Sequence, residues 1–252
     1  MNLEIRDGVI SVGGSLFFQN LNLKFNPCAL TAVMGRNGSG KTSLLQVLAG
    51  LVKPMAGMVG LDGVDLQTIA PRERARLIGV LVQHEPEAFY GTVRDYVGLA
   101  RIPWTNGWKF TSKDKQAVTE SLYLLDLDSL ADESFHYLSA GEKQRVRIAQ
   151  LLAQETQMLL LDEPLQNLDI DYQGRVMDML GLQARSGKVV LCVLHDIYWV
   201  QSSCDQALLL FDDRQARMGQ VKDIVTPFDL QLLYGVEFVS VNAGDTWLVP
   251  QK

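Results

Sequence analysis

The residues best suited to chemistry form a glycine-rich stretch near position 40. The stretch matches G-x-x-x-x-G-K-[ST], a loop whose backbone N–H groups hold nucleotide phosphates. Lys41 adds a positive charge for the β- and γ-phosphates, and the Thr42 hydroxyl is suited to bind Mg²⁺. The predicted phosphate-binding residues are Gly35, Arg36, Asn37, Gly38, Ser39, Gly40, Lys41, Thr42 and Ser43. An ordinary glycine-rich turn is the alternative interpretation.

The segments on either side of this loop favour the phosphate-binding interpretation. Residues 30–34 form an apolar run that predicts a buried strand, and residues 42–49 predict a helix that Gly50 ends. A strand, a glycine loop and a helix N-terminus in this order direct backbone N–H groups at one anion.

A pair of carboxylates follows the second informative strand. Residues 158–161 are continuously apolar and predict a central parallel strand, which leads into Asp162 and Glu163. Ligands of parallel sheets bind beyond the carboxyl ends of the strands. Asp162 is therefore suited to Mg²⁺, and Glu163 to orienting or deprotonating a water. Two surface carboxylates at a strand end are the alternative.

Two more predicted strands end in polar residues. Gln83 follows the strand at 78–82 and could contact Mg²⁺ or a water, and the sequence does not decide this. His195 follows the strand at 188–194. A lone histidine is more often structural, but at this sheet edge His195 is a candidate contact for a γ-phosphate.

A second helix N-terminus is predicted at Ser139. Glu142 lies three residues later and completes a capping box for a helix that runs to about Ala153. The segment is either only a well-capped helix, or a second anion site made by Ser139 and the amides of Ala140 and Gly141.

The remaining pattern predicts the elements that position these residues. Residues 3–33 and 58–69 predict short antiparallel strands, with a hairpin turn at Asp62-Gly63. Helices are expected at 71–77, 93–101, 117–125 and 171–184, a strand at 205–211, and a short capped helix within 226–236. The aromatic residues of segment 104–110 mark either a partner contact or rings packed on the helices.

Composition limits the class of protein. The 252 residues and 47% hydrophobic content fit one large domain, and the net charge of −6 gives no reason to expect a nucleic-acid partner. Cys28, Cys192 and Cys204 have no metal-binding spacing and are expected to be reduced thiols of a cytosolic protein. Neither a signal peptide nor an apolar run of 18 residues is recognisable.

Taken together, the motifs resemble those of ATP-binding cassette (ABC) ATPases. The phosphate loop, Gln83, residues 138–142, residues 159–164, Leu168-Asp169 and His195 occur in that family's order. The resemblance implies an α/β fold: a P-loop NTPase core with a central mostly parallel sheet, an antiparallel β subdomain and a helical subdomain. Residues 1–252 would form one ABC ATPase domain, with 1–87 and 158–252 as the nucleotide-binding core and 88–157 as the helical subdomain.

The same resemblance implies roles for the site residues. ATP and Mg²⁺ are the expected cofactors, with Thr42, Gln83 and Asp162 at the metal and Glu163, His195 and Gln83 in catalysis. A homodimer is implied, in which each ATP lies between one chain's phosphate loop and the partner chain's Ser139, Ala140, Gly141, Glu142 and Asp169.

A narrower resemblance concerns two segments. Residues 92–103 and 226–236 look like those of importers of vitamin B12, ferric siderophores and haem. This implies transmembrane permease subunits, a substrate-binding protein, and a peripheral location on the cytoplasmic face of the inner membrane. An ABC exporter subunit and a soluble, non-transport ABC ATPase are the alternatives.

The sequence departs from the family pattern at several positions. Ala140 stands where glycine is usual, and Glu142 where glutamine is usual. Residues 9–14 lack the aromatic residue that ordinarily stacks on adenine; Phe17 or Phe18 could substitute, or adenine could pack on Val12.

Overall fold

The computed structural model describes residues 1–83, 89–105, 109–243 and 245–251. The strands are β1 (Leu3–Val12), β2 (Ser15–Phe25), β3 (Ala29–Gly35), β4 (Ala56–Leu61), β5 (Val64–Asp65), β6 (Ile78–Leu81), β7 (Met158–Asp162), β8 (Val189–Val193), β9 (Gln206–Leu210), β10 (Ala216–Gln220), β11 (Phe238–Ala243) and β12 (Asp245–Pro250). The α-helices are α1 (Lys41–Leu48), α2 (Pro71–Leu77), α3 (Val93–Gly98), α4 (Ser112–Leu124), α5 (Ala140–Ala153), α6 (Ile170–Arg185), α7 (Ile197–Ser203), α8 (Val221–Ile224) and α9 (Pro227–Tyr234). Short 3₁₀ segments cover Leu66–Thr68, Leu99–Trp104, Asp128–Leu130 and Phe135–Tyr137.

The central sheet is mostly parallel, as predicted. Within the described ranges its strand order is β10-β9-β3-β8-β7-β6, and only β10 pairs antiparallel to its neighbour. Strands β3, β7 and β8 are almost entirely buried, which explains their continuously apolar sequences. Because these strands are parallel, their carboxyl ends share one edge, and the polar residues that follow them meet there.

A second, antiparallel sheet packs beside the phosphate loop, also as predicted. Its order is β2-β1-β4-β5, with the hairpin between β4 and β5 at Asp62-Gly63. The prediction that strand continues through residue 69 is wrong. Asp65 instead caps the 3₁₀ segment at Leu66–Thr68 by accepting a hydrogen bond from the N–H of Gln67.

The described residues between 89 and 157 are largely helical, and the structure corrects two of the predicted helix bounds. The helix expected over 93–101 is α-helical only to Gly98 and continues as a 3₁₀ segment that contains Pro103, which has no N–H to donate. Helix α4 begins at Ser112, five residues before the expected start, because Thr111 and Asp114 form a capping box. The division into a core and a helical part at residues 88 and 157 stays a prediction.

Several elements were not predicted, among them α7, α8, β10 and the hairpin β11–β12. In the aromatic segment, residues 106–108 lie outside the described part of the chain. Trp104 packs onto the fold, with its Nε1–H donating to the carbonyl of Gln154 at 2.8 Å. Among the described residues, no helix has the length and apolar character needed to cross a bilayer.

Candidate active site

A cavity of about 520 Å³ opens where the carboxyl ends of the central strands meet the start of α1. Side chains and backbone from separate stretches of sequence line it. The lining residues are Phe17, Asn37, Gly38, Gly40, Lys41, Thr42, Ser43, Gln83, Glu163 and His195. The fold therefore brings the phosphate loop to the polar residues that follow β6, β7 and β8.

The loop takes its shape from glycines with left-handed backbone. Gly38 and Gly40 have φ values of +82° and +93°, a conformation that other residues adopt only with strain. Gly40 also has a steric requirement, since a Cβ there would lie 2.8 Å from the Cδ1 atom of Phe17. The chain can thus turn directly into α1 with its first N–H groups open to the cavity.

Lys41 is held inside the loop. Its Nζ atom donates to the carbonyl oxygens of Gly35 at 2.8 Å and Arg36 at 2.9 Å. Burial lowers the pKa of the Lys41 ammonium, while the charges of Glu163 and Asp162 oppose that shift. Because its partners are neutral carbonyls, the ammonium can exchange them for phosphate oxygens, which bind a cation more strongly.

Asp162 and Thr42 form a polar pair beside the cavity, in which Thr42 lines the cavity and Asp162 is buried next to it. The Thr42 hydroxyl donates to Oδ2 of Asp162 at 2.6 Å. Burial raises the pKa of the Asp162 carboxyl, and the Thr42 hydrogen bond opposes that rise. The other oxygen, Oδ1, is buried and has no hydrogen-bond partner among the described atoms. A carboxylate in this state is suited to a hard cation such as Mg²⁺.

Glu163 and His195 both line the cavity and are in direct contact with each other. His195 Nε2 lies 2.9 Å from Glu163 Oε1. Glu163 has a φ of +51°, a strained value for a residue with a side chain, and it lies directly after β7. Such strain at the end of a central strand is typical of functional positions.

Other predicted site residues lie outside this cavity. The guanidinium of Arg36 pairs with Asp212 at 3.1 Å, and the buried Ser39 hydroxyl has no partner among the described atoms. Asp169 caps α6 by accepting from the N–H of Tyr172 at 3.0 Å. Within one chain, Ser139, Ala140, Gly141 and Glu142 do not line the cavity either.

The second helix N-terminus is built as predicted. The Ser139 hydroxyl donates to Oε2 of Glu142 at 2.7 Å, and the Ser139 N–H donates to the same oxygen at 2.8 Å. These hydrogen bonds lower the pKa of the Glu142 carboxyl. Ser139 and Ala140 are exposed, so this end of α5 is open to an incoming group.

Two residues near these motifs were missed by reasoning from the sequence. Gln144, buried on α5, donates through Nε2 to the carbonyl of Pro164 at 2.9 Å and so holds the segment that follows Glu163. Asn167, with a φ of +63°, lies so near that a Cβ on Gly141 would be 2.8 Å from its carbonyl oxygen. The sequence signal for Gln144 is its position: it is a polar residue on the apolar face of the predicted helix.

The structure also distinguishes between the three residues that the sequence offers as contacts for adenine. Phe18 is fully buried between the sheets, whereas Phe17 is half-buried and lines the cavity. Val12 does not line it. Of these three residues Phe17 is the one that lines the cavity, and its contact with a bound base stays a prediction.

Comparison with known protein families agrees with this geometry. Residues 18–166 match the family model described as "ABC transporter". The chain is 36% identical over 240 residues to the hemin import ATP-binding protein HmuV of Pseudomonas entomophila, covering 93% of each chain. It is 34% identical over 237 residues to the ferric enterobactin transport ATP-binding protein FepC of Escherichia coli, covering 92% of this chain and 88% of the relative.

Solved structures give the same result at the level of fold. A metal-chelate type ABC transporter in an inward-facing conformation aligns with a TM-score of 0.85 at 28% identity, covering 99% of this chain and 97% of the other. A dimeric bacterial ABC transporter cassette aligns with a TM-score of 0.76 at 24% identity, covering 87% of this chain and 98% of the other, and supports the fold alone. The expected P-loop NTPase fold is confirmed.

Proposed function

Because the chain belongs to the ABC transporter family, we propose that it is the ATP-binding and ATP-hydrolysing subunit of a membrane importer. The cavity that joins the phosphate loop to Glu163 and His195 is the observation that carries this proposal. The named functions of the relatives, import of hemin and of ferric enterobactin, support a metal chelate as the cargo of the whole transporter.

ATP binds with its phosphates in the glycine loop. The N–H groups at the start of α1 and the Lys41 ammonium neutralise the phosphate charge. The 2.8 and 2.9 Å bonds from Lys41 to loop carbonyls keep the ammonium within the loop before ATP arrives. Binding energy is therefore not spent on ordering a long flexible side chain.

Oxygens of the Thr42–Asp162 pair would hold Mg²⁺. The Thr42 hydroxyl and Asp162 supply these oxygens, and the unpartnered Oδ1 of Asp162 supports this assignment. Gln83 lines the same cavity and would join them through its side-chain oxygen. When bound, the ion offsets the charge that develops on the phosphate oxygens during transfer.

Glu163 and His195 act on the attacking water and the γ-phosphate. The Glu163 carboxylate accepts a proton as the water oxygen bonds to the γ-phosphorus, while the bond to the bridging oxygen breaks and ADP leaves. His195, 2.9 Å from Glu163, orients that carboxylate and faces the γ-phosphate.

The site is completed by a second copy of the chain. Ser139 to Glu142 lie at an exposed helix N-terminus that does not line its own chain's cavity. In a head-to-tail homodimer this N-terminus meets the γ-phosphate held by the partner, where its dipole and N–H groups favour negative charge. Asp169, which caps α6, follows shortly after Asn167, whose carbonyl oxygen lies beside Gly141, and so would join this surface.

A groove of about 650 Å³ on the helical part is the proposed contact for the transmembrane permease. Leu99, Ile102 and Phe110 line it and are 37%, 42% and 40% exposed, and exposed apolar clusters of this kind mark interfaces. This contact would hold the chain on the cytoplasmic face of the inner membrane. A substrate-binding protein would act with the permease on the far side.

The test uses Glu163→Gln, which keeps the shape of the side chain and removes the base. ATP hydrolysis should fall by about 10²–10⁴, the usual range for a general base. ATP binding should persist, so the variant should form an ATP-dependent homodimer in light scattering after gel filtration. Adding Ser139→Arg should abolish the dimer without affecting ATP binding to the monomer.

Controls separate the parts of the proposal. Lys41→Ala should remove ATP binding and therefore the dimer. A Glu163→Gln protein that binds ATP yet remains monomeric at high concentration would contradict the composite site. A wild-type protein that binds no ATP would contradict the proposed function itself.

A further inference from the structure

An exposed aromatic patch lies immediately before the helix N-terminus that begins at Ser139. Tyr137 is 86% exposed and Tyr90 is 84% exposed. Tyr90 stacks on His136 with ring centroids 6.1 Å apart, and His136 contacts Tyr137 edge-on at 5.5 Å. Aromatic rings so exposed on an ordered surface indicate a contact still to be made.

Tyr137 is fixed to the fold despite its exposure. It ends the 3₁₀ segment Phe135–Tyr137, and its N–H donates to the carbonyl of Ser134 at 3.1 Å. Phe135 anchors that segment in the core at 3% exposure and stacks on Tyr96 at 4.2 Å. The backbone that carries Tyr137 is therefore held by the fold before any ligand arrives, which lowers the entropic cost of a contact.

The nucleotide cavity within one chain offers a base little aromatic surface. Among its described lining residues Phe17 is the one phenylalanine, tyrosine or tryptophan, and the His195 imidazole is already in contact with Glu163. Phe18 is fully buried. A purine that packs on Phe17 would therefore have its other face uncovered within the monomer.

We propose that Tyr137 covers the purine base of the nucleotide bound to the partner subunit. This inference rests on the proposed function, which places Ser139 at the partner's γ-phosphate. Leu138 and Ser139 are extended, so Tyr137 lies about 7 Å from Ser139 along the chain. The tyrosine side chain adds its own length to this separation, which is enough to span the distance from a γ-phosphate at Ser139 to the nucleoside end of the same nucleotide.

Stacking explains which nucleotides this arrangement selects. An aromatic ring packs on the face of any base, and the larger purine face offers more contact than a pyrimidine. Tyr137 would act only in the dimer, because the base it contacts belongs to the other chain. It therefore couples base identity to dimer formation rather than to the first binding of nucleotide.

The test compares four proteins in the Glu163→Gln background: the parent, Tyr137→Ala, Tyr137→Phe, and Tyr123→Ala as a matched control. Tyr123 is 71% exposed on α4 and should not matter to the dimer. Sedimentation gives the dimer dissociation constant with ATP and with UTP. Titration of dilute, monomeric protein gives the ATP affinity of one chain.

Tyr137→Ala should raise the ATP-bound dimer dissociation constant by at least about 25-fold, because each of two sites loses stacking equivalent to about fivefold or more. With UTP the loss should be smaller. Tyr137→Phe and Tyr123→Ala should stay within about twofold of the parent, and the monomer's ATP affinity should not change in any variant.

Each contrary result has a distinct meaning. If Tyr137→Ala dimerises like the parent, or weakens the ATP and UTP dimers equally, the contact with the base is overturned while the proposed function stands. If Tyr137→Ala weakens ATP binding to the monomer, the tyrosine acts within its own chain and the inference is wrong. If the parent binds ATP but never dimerises, the composite site fails and this inference fails with it.

Discussion

The Nε2 atom of His195 lies 2.9 Å from the Oε1 atom of Glu163, although 32 residues separate them in sequence. The contact follows from the register of two adjacent parallel strands, in which Asp162 of β7 pairs with Val193 of β8. Glu163 directly follows β7, and His195 follows β8 after Leu194, so both leave the same edge of the sheet from neighbouring strands. Their contact makes the carboxylate and the imidazole one unit at the mouth of the cavity.

Removing the imidazole should impair hydrolysis more than binding. We expect His195→Ala to lower kcat by about 10²–10⁴, the range for residues that act on proton transfer, since Glu163 loses its orienting partner. ATP affinity should change little, because Lys41 and the loop amides remain. His195→Gln, which restores an N–H near the Nε2 position, should recover part of the lost rate in a steady-state phosphate-release assay. Equal losses in both variants would contradict the orienting role.

Much of this site could be predicted because its parts are local patterns. The phosphate loop, the strand ends and the Ser139–Glu142 capping box each depend on short-range chemistry that single stretches of sequence display. Parallel strands then bring the polar residues that follow them to one edge. The sequence predicted that Glu163 and His195 lie at the same sheet edge, but not their contact, which depends on β7 and β8 being adjacent strands.

The unpredicted features depend on long-range packing. The choice of Phe17 over Phe18 follows from irregular register between β1 and β2, where bulges shift which residue faces inward. The left-handed backbone at Glu163 leaves no mark in residue type. The sequence of β11 alternates, with Val239 and Val241 on either side of Ser240. The run is short, however, and β11 and β12 form a separate two-stranded sheet, so the pattern alone does not predict the hairpin.

Replacing the Asp162 carboxyl by a neutral group should stabilise the nucleotide-free protein and remove its Mg²⁺-dependent hydrolysis. Burial raises the pKa of this carboxyl above its ordinary value of 3.8. A raised pKa means that the protonated form favours the folded state, so the favourable contribution is present at acid pH and is lost as pH rises through the folded pKa. At neutral pH the ionised Asp162 therefore destabilises the nucleotide-free protein.

We expect Asp162→Asn to unfold at higher urea concentration than the wild type at pH 7.5, with a difference that shrinks as pH falls toward the ordinary range of aspartate. Mg²⁺-dependent hydrolysis should be nearly abolished. Asp178→Asn, which removes an exposed carboxylate from α6, should change neither quantity. A less stable Asp162→Asn protein at neutral pH would contradict this account of the buried carboxylate.

Phe17 should contribute to binding the base but not the phosphates. Loss of one stacked ring is worth about 1–3 kcal/mol, so Phe17→Ala should weaken ATP binding by about 5- to 150-fold. Phe17→Tyr should bind like the wild type. Inorganic tripolyphosphate, which has no base, should bind the wild type and Phe17→Ala equally in calorimetric titrations.

The same ring should discriminate weakly between purines. Since Phe17 offers a face rather than hydrogen bonds, the preference for ATP over GTP should stay below about 100-fold. A stronger preference, retained in Phe17→Ala, would show that another residue reads the base.

Gly141 should be required for the composite site and not for binding ATP to one chain. A Cβ at this position would lie 2.8 Å from the carbonyl oxygen of Asn167, so Gly141→Ala must push the start of α5 away from the segment that leads into Asp169. Overpacking of this kind costs about 1–3 kcal/mol. Both displaced segments belong to the surface proposed to meet the partner's nucleotide.

In the Glu163→Gln background, Gly141→Ala should therefore weaken the ATP-dependent dimer by about 10-fold or more, the factor equivalent to about 1.4 kcal/mol. The ATP affinity of the monomer should match that of the parent. Ala140→Gly is the matched control: it changes the adjacent, exposed residue by the same methyl group in the opposite sense and creates no overlap. If sedimentation shows equal dimer constants for Gly141→Ala and the parent, the α5 terminus is not positioned by its contact with Asn167.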